Sequence, residues 1–417
     1  MTCCTLGIAP QAMGKSGAGV TETSGVGGRL RALRLPSAPG LFFVPGLFFE
    51  PGLSFVLDMF RPRDRSCMPH AVLGASASWM WRVLLMGCVV FGFVTQVAAQ
   101  VPPPAPLKLP EQWEYSAPVL RPELRDVEPS RAQKDPTFVR QGGHWHLFTT
   151  SKLPGRSAIE YCRFADWSSA NAAPRTLLTV SDSDYFCAPQ VFYFRPHQKW
   201  YLIYQMGVPG ASKMWVAYST TTNIADPTSW TKARPVLDGG PEDGRTVGGL
   251  DYWVICDDQK AYLFFTSLNG RMWRMWTEID RFPHGFRDCQ LALRGPVFEA
   301  SHTYRLQGRE EYLTIIEQSG QRHYKAYLAR SLDGPWQPLR DSQARPFAGA
   351  SNVRPRAGVA AWADNISHGE LVRTSHDERL IVDPDNLQFV FQGMLQRDKQ
   401  RKGYGEFNWK LGVLTPR

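Results

Sequence analysis

The chain has 417 residues, 43 % hydrophobic and 20 % charged, which is apolar enough for one or two packed domains and excludes a disordered chain. Its formal charge of +9 is not gathered into a Lys/Arg run interleaved with aromatics, so nucleic acid is not an expected partner. The basicity fits solubility and attraction to anionic polysaccharide surfaces. Short apolar runs punctuated by Gly and Pro dominate, with no long amphipathic helical period, and predict an all-β protein.

Residues 1–79 are rich in Gly, Pro, Ala and Arg and carry no strand pattern, so they read as a non-structural upstream segment. Gly14-Lys15-Ser16 lacks the earlier Gly and the strand that a phosphate loop needs. Residues 80–99 read as a signal peptide. Met80-Trp81-Arg82 is a basic start, Val83 to Val94 an apolar core, and Val97-Ala98-Ala99 a small-residue cleavage site, with Met80 or Met68 as the start. The apolar run is short for a membrane span. The expected protein is therefore secreted, extracellular or periplasmic, with no membrane attachment after cleavage. Four cysteines follow Ala99, namely Cys162, Cys187, Cys256 and Cys289; export permits disulfides between them, and no CxxC suggests zinc. Residues 100–110 form a Pro-rich lead-in, and 111–417 read as one domain without an internal linker.

Within that domain a unit recurs every 50 to 70 residues, each a strand-like run, a polar turn and a second, aromatic-rich strand. Lys134-Asp135-Pro136 opens the first unit, and its second strand is HWHLFTTS. Cys187-Ala188-Pro189 opens the second, Leu250-Asp251-Tyr252 the third, Phe298-Glu299-Ala300 the fourth and Ser367-His368-Gly369 the fifth. Five such units predict a five-bladed β-propeller, whose equivalent positions meet at the central axis. Asp135, Asp251 and Glu299 share one phase of this repeat, which predicts three carboxylates around one pocket and acid/base chemistry there. The tail, with GVLT at 412–415, is expected to return to the first blade and close the ring. His144 and His146 flank Trp145 and read as a packed pair in a second strand, not as metal ligands.

The segments KDP (134–136), APQVFYFRPHQKWYLIYQ (188–205), LDYWVICDDQKAYLFFTSLNGRMWR (250–274), FEA (298–300), FPHGF (282–286), DNISHGELVR (364–373), DPDNLQFVFQG (383–393) and WKLGVLT (409–415) together resemble glycoside hydrolase family 62. That family comprises α-L-arabinofuranosidases acting on arabinoxylan, and shares its propeller and acid triad with family 43. The resemblance implies an inverting hydrolase with Asp135 as general base, Glu299 as general acid and Asp251 as the residue that tunes and orients the acid. The chemistry agrees: the leaving oxygen needs a proton near neutral pH, and a neighbouring carboxylate raises the pKa of the group that supplies it. The resemblance further implies arabinose contacts by Lys134 and Tyr404, with Gln205 and Glu317 near the pocket. It places His368 near a central calcium that would be structural, and no cofactor is required. The expected partner is arabinoxylan or a related arabinose-decorated polysaccharide, and the expected state a monomer.

Departures from the family pattern surround the carboxylates. Met206 stands where relatives commonly have Trp, Gly405 where a polar residue is common, and the stretch from Gln396 to Gly403 is unusually basic, which points to acidic or differently decorated glycans. A family 43-like β-xylosidase or arabinanase and a non-catalytic carbohydrate-binding propeller are the competing readings.

Overall fold

A computed structural model describes residues 105–207, 214–238 and 248–417. The upstream segment and the signal peptide lie outside these residues. Ala132–Gln141, His144–Leu153, Arg156–Phe164 and Arg175–Leu177 form a four-stranded antiparallel meander, blade 1. The pattern repeats from Phe186–Phe194 to Arg234–Pro235 (blade 2), from Leu250–Cys256 to Arg287–Arg294 (blade 3) and from Glu299–Leu306 to Gln337–Arg340 (blade 4). The first, innermost strand of each blade is almost wholly buried, because it has neighbours on both faces; the last strand alternates or is exposed, as Arg287–Arg294 shows. This burial gradient explains the near-continuous apolar inner runs such as YWVIC.

Blade 5 corrects one expectation. The tail strand Lys410–Pro416 does not join blade 1; it is the third strand of blade 5, after Asn365–Leu371 and Phe389–Met394. Its free edge is covered by the N-terminal strand Trp113–Tyr115, with Trp113 opposite Pro416 and Tyr115 opposite Leu414. The two ends of the domain thus meet within one sheet, where the N-terminal strand covers the edge that the tail strand would otherwise leave bare. Trp113 anchors the closure: it is fully buried, its indole N–H donates to the Phe347 carbonyl at 2.7 Å, and its ring meets Phe347 edge-on. Burying an indole contributes roughly 3 kcal/mol or more.

Deeper on the axis, Arg373 ties three blades together. Its guanidinium donates to the carbonyls of Phe138 (2.6 Å) and Val191 (3.0 Å), and its Nε lies 2.6 Å from Glu370. Burial raises the Glu370 carboxyl to about 7, with Arg373 opposing. His146 is buried against the Tyr161 hydroxyl at 2.8 Å, the packed role expected of it.

Candidate active site

Each inner strand begins with the same irregularity, and it builds the site. The pairing skips one residue between Lys134 and Thr137, Cys187 and Gln190, Leu250 and Trp253, Glu299 and His302, and Ser367 and Gly369. These are β-bulges, which bend a strand and re-aim side chains. In four blades the bulged residue adopts a left-handed φ: Asp135 (50°), Ala188 (50°), Asp251 (54°) and Ala300 (51°). Such strain in residues with a Cβ costs of the order of 1 kcal/mol each and concentrates at functional sites.

The bulges correct the phase assigned to Glu299. Asp135 and Asp251 are bulge residues, but in blade 4 that position is Ala300; Glu299 precedes it and matches Lys134. The three carboxylates are therefore two residues at one register position and one a step before it. The backbone conformation that separates the two positions has no sequence signature when Ala occupies it.

A ring of hydrogen bonds joins blade to blade through the bulge N–H groups. Ala188 N–H donates to Thr150 Oγ1 (2.8 Å), Asp251 N–H to Gln205 Oε1 (2.8 Å), His368 N–H to Glu317 Oε2 (2.8 Å) and Asp135 N–H to Gln392 Oε1 (2.9 Å). Each acceptor comes from the second strand of the preceding blade, opposite the residue before that blade's own bulge. Between blades 3 and 4 the corresponding residue is Thr266, whose buried hydroxyl has no partner. There the Asp251 carboxylate itself accepts the Ala300 N–H at 2.9 Å.

His368 links the two aspartates, with Nδ1 3.3 Å from Asp135 Oδ1 and 3.7 Å from Asp251 Oδ2. Burial opposes the charge of Asp135, but Lys134, 3.6 Å away, and His368 prevail and hold its carboxyl below the usual range, so Asp135 is ionised at neutral pH. Asp251 moves the other way. Burial, then the charges of Glu299 and Asp135, raise it well above the carboxylate range. Burial lowers the His368 imidazole, with Asp135 opposing. Glu299 is the most accessible of the three acids, and Arg322 donates to its Oε1 at 2.7 Å. The site thus sets a fixed anion, Asp135, near a carboxyl, Asp251, that burial and its acidic neighbours hold above the usual range, the electrostatic pattern of acid/base chemistry.

The remaining candidates divide into mouth and frame. Lys134 points its ammonium at the Tyr404 hydroxyl (3.5 Å), and Tyr404 is 65 % exposed at the mouth. Gln205 is buried; besides accepting the Asp251 N–H, its amide donates toward Cys187 Sγ at 3.5 Å. Glu317 is fully buried and holds Ser367, the His368 N–H and Arg322, with burial raising its carboxyl to about 7. Arg322 was not anticipated from sequence. It sits in the hairpin turn between the second and third strands of blade 4, where no motif marks it, and it bridges Glu299 and Glu317.

A calcium beside His368 would take one nitrogen from the protein and most of its ligands from water. His368 directs Nδ1 at two carboxylates and packs edge-on against His302. No group of three or more His, Cys, Asp or Glu suited to a metal occurs among the described residues. Cys162, Cys187 and Cys256 are buried and unbridged, so the permitted disulfides do not form among them.

A five-bladed propeller with this carboxylate set at one mouth of its axis has the architecture of a carboxylate-dependent glycoside hydrolase. The sequence profile of glycosyl hydrolase family 62 matches residues 128–415. Alpha-L-arabinofuranosidase C of Cellvibrio japonicus (strain Ueda107) is 38 % identical over 318 residues, 74 % of this chain; the chain spans about half the length (47 %) of that relative. Among solved structures, the catalytic domain of the Coprinopsis cinerea GH62 alpha-L-arabinofuranosidase superposes with a TM-score of 0.67 at 34 % identity, covering 73 % of this chain and 97 % of its own. A GH62 hydrolase in complex with xylotriose gives a TM-score of 0.66 at 32 % identity, over 73 % and 97 % of the two chains. The chain belongs to glycosyl hydrolase family 62.

Proposed function

We propose that the protein is an inverting α-L-arabinofuranosidase that removes arabinofuranosyl side chains from arabinoxylan. The carrying observation is the arrangement at the mouth: Asp135 is held as an anion beside Lys134 at 3.6 Å, while Glu299, the most accessible of the three acids, stands next to the residue whose backbone N–H the Asp251 carboxylate clasps. The relatives' names support the sugar, and the xylotriose complex of one of them supports a xylan backbone.

In this mechanism Asp135 takes a proton from a water on one side of the arabinose ring. Lys134 and His368 keep it anionic for that step. Glu299 protonates the departing xylosyl oxygen. Asp251, its own carboxyl held above the usual range, clasps the Ala300 N–H and so orients the backbone that carries Glu299. Inversion requires a base–acid gap of roughly 6.5–9.5 Å with the substrate bound, wide enough for the water. The basic, apolar, small-residue pattern of residues 80–99 supports secretion.

The test is NMR of a short incubation with wheat arabinoxylan. The expected first product is free arabinose of β configuration; α-arabinose would indicate retention, and xylose or arabino-oligosaccharides alone would replace the proposed reaction with another.

A further inference from the structure

On the outer side of blade 4 lies a recess of about 250 Å³ lined by Gln321, His323, Gln343, Ala350 and Ser351. Gln321 and His323 flank Arg322, whose guanidinium donates to Glu299 at 2.7 Å, so the recess lies on the acid side of the site, where the leaving oxygen departs. The strands carrying Glu299, Glu317 and His323 run side by side, with Glu299 opposite Glu317 and Glu317 opposite Tyr324. Two strand spacings, roughly 10 Å, therefore separate the strand of His323 from that of Glu299. His323 is buried and has one polar atom without a partner. Its Nδ1 donates to the Gln321 carbonyl at 3.0 Å, and burial holds the imidazole below its usual range, so the ring is neutral and Nε2 is a bare acceptor. Buried acceptors in folded proteins almost always have a partner. Gln321 Nε2 donates to the Asp364 carbonyl at 3.3 Å, which leaves its amide oxygen to accept. The segment 343–351 walls the recess on the side away from the axis. Phe347 N–H donates to the Tyr324 carbonyl and Tyr324 N–H to the Ala348 carbonyl, both at 2.8 Å, on the strand edge away from Glu317. No charged side chain and no aromatic carbocycle lines the recess among the described residues.

We propose that this recess binds a neutral side-chain sugar, an arabinofuranosyl unit on the backbone xylose next to the one that loses its arabinose, so that closely spaced decoration is the preferred substrate. A sugar hydroxyl both donates and accepts, so it can satisfy His323 Nε2 and the Gln321 amide oxygen while accepting from the Gln343 amide. A uronate would find no cation there, because Arg322 is already committed to Glu299 and Glu317. An aromatic ester would find no ring to stack on. The volume lies below the roughly 300–1,000 Å³ of pockets for drug-sized ligands, and so suits one ring and not a chain. The outer wall stops a polymer from running on, which makes the bound unit a terminal one. A branch is the terminal unit that the substrate carries beside the scissile linkage, and one backbone step plus one branch covers the two strand spacings from Glu299. This role presupposes the arabinofuranosidase reading and adds the decoration pattern that the enzyme selects.

The experiment compares first arabinose release from four neutral oligosaccharides. One is a singly decorated xylo-oligosaccharide, two are the isomers with a second arabinofuranosyl group on either neighbouring xylose, and the last is the singly decorated chain lengthened by one xylose. Wild type, Ala350→Leu, which fills the recess, and Gln343→Ala, a change at an exposed residue, are assayed on each. Wild type should favour one of the two isomers over the singly decorated chain by about fivefold or more in kcat/KM, through KM. That preference should vanish in Ala350→Leu and weaken in Gln343→Ala, while both variants cleave the singly decorated chain within about twofold of wild type. Wild-type rates on both isomers within the about twofold that a second cleavable linkage brings overturn the proposal. So does a preference that survives both variants, or an equal gain from the added xylose, which would put a backbone unit in the recess. Each of these outcomes leaves the arabinofuranosidase reading intact. Release from none of the four overturns that reading and the proposal with it.

Discussion

The carboxylate of Asp251 accepts the backbone N–H of Ala300, the residue directly after the catalytic acid candidate Glu299, at 2.9 Å. One side chain thus does two things. It completes the inter-blade ring where Thr266 leaves a gap, and it fixes the backbone that carries Glu299 beside a titrating neighbour.

These two roles separate under substitution. Asp251→Asn keeps an oxygen able to accept the Ala300 N–H but removes the charge, whereas Asp251→Ala removes both. Thermal stability should therefore be little changed in Asp251→Asn and fall by about 1–3 kcal/mol in Asp251→Ala, the cost of an unpaired buried donor. Both variants should lose activity, and in Asp251→Asn the alkaline limb of the pH–rate profile should move to lower pH, because the buried carboxyl whose ionisation is held above the usual range is gone. Equal destabilisation of the two variants removes the clasp role; an unmoved alkaline limb removes the tuning role.

Glu299 and Asp135 differ in what a reactive substrate can replace. Glu299→Ala should lose about 10²–10⁴-fold on arabinoxylan and regain much of it on an aryl arabinoside with an acidic leaving group, which needs no protonation. Asp135→Ala should lose activity on both, because no leaving group supplies the missing base. Steady-state kinetics on the two substrates is the check, and rescue of both variants, or of neither, reverses or removes the assigned roles.

Much of this site was legible because a propeller turns a long-period repeat into an axial cluster. The openings at Lys134, Cys187, Leu250, Phe298 and Ser367 do fall within two residues of the starts of the five inner strands. What was not legible belongs to the backbone or to turns. Ala300 carries no mark of its left-handed φ, so Glu299 reads as in phase with the two aspartates. Arg322 lies in a turn whose composition resembles any other, and only the fold brings it back to Glu299 and Glu317. The tail strand GVLT is strand-like by pattern, but its partner Phe389–Met394 is set by the fold, and the strand that covers its other edge, Trp113–Tyr115, has three residues, below the length at which periodicity is readable.

Glu370 gives a pH dependence of stability far from the catalytic mouth. Burial raises its carboxyl from 4.5 to about 7, so the folded state binds this proton more tightly than the unfolded chain. Its contribution to stability is greatest below the unfolded value and is lost as pH rises toward 7. Glu370→Gln cannot ionise. The stability of that variant relative to wild type should therefore rise between pH 5 and pH 8, by up to about 3 kcal/mol, whatever the offset from losing the Arg373 ion pair. Urea denaturation of both proteins across that range measures the difference; a constant offset means that Glu370 is ionised throughout.

Lys134 decides where the base begins to work. Burial disfavours its charge, but Asp135 and then Tyr404 hold the ammonium well above the usual lysine range, and it in turn keeps Asp135 ionised. Lys134→Met removes the nearest positive charge from a buried carboxylate whose other cationic neighbour, His368, is itself held below its usual range by burial. Asp135 should then take up a proton at higher pH than in wild type, so the acid limb of kcat/KM should move upward, by one unit or more if the Coulomb contribution is about 1.4 kcal/mol or larger. Lys134→Arg should return the limb toward its wild-type position. A Lys134→Met profile that falls in height without moving on the pH axis would assign Lys134 to holding the sugar alone, and leave the ionisation of Asp135 to His368 and Thr150.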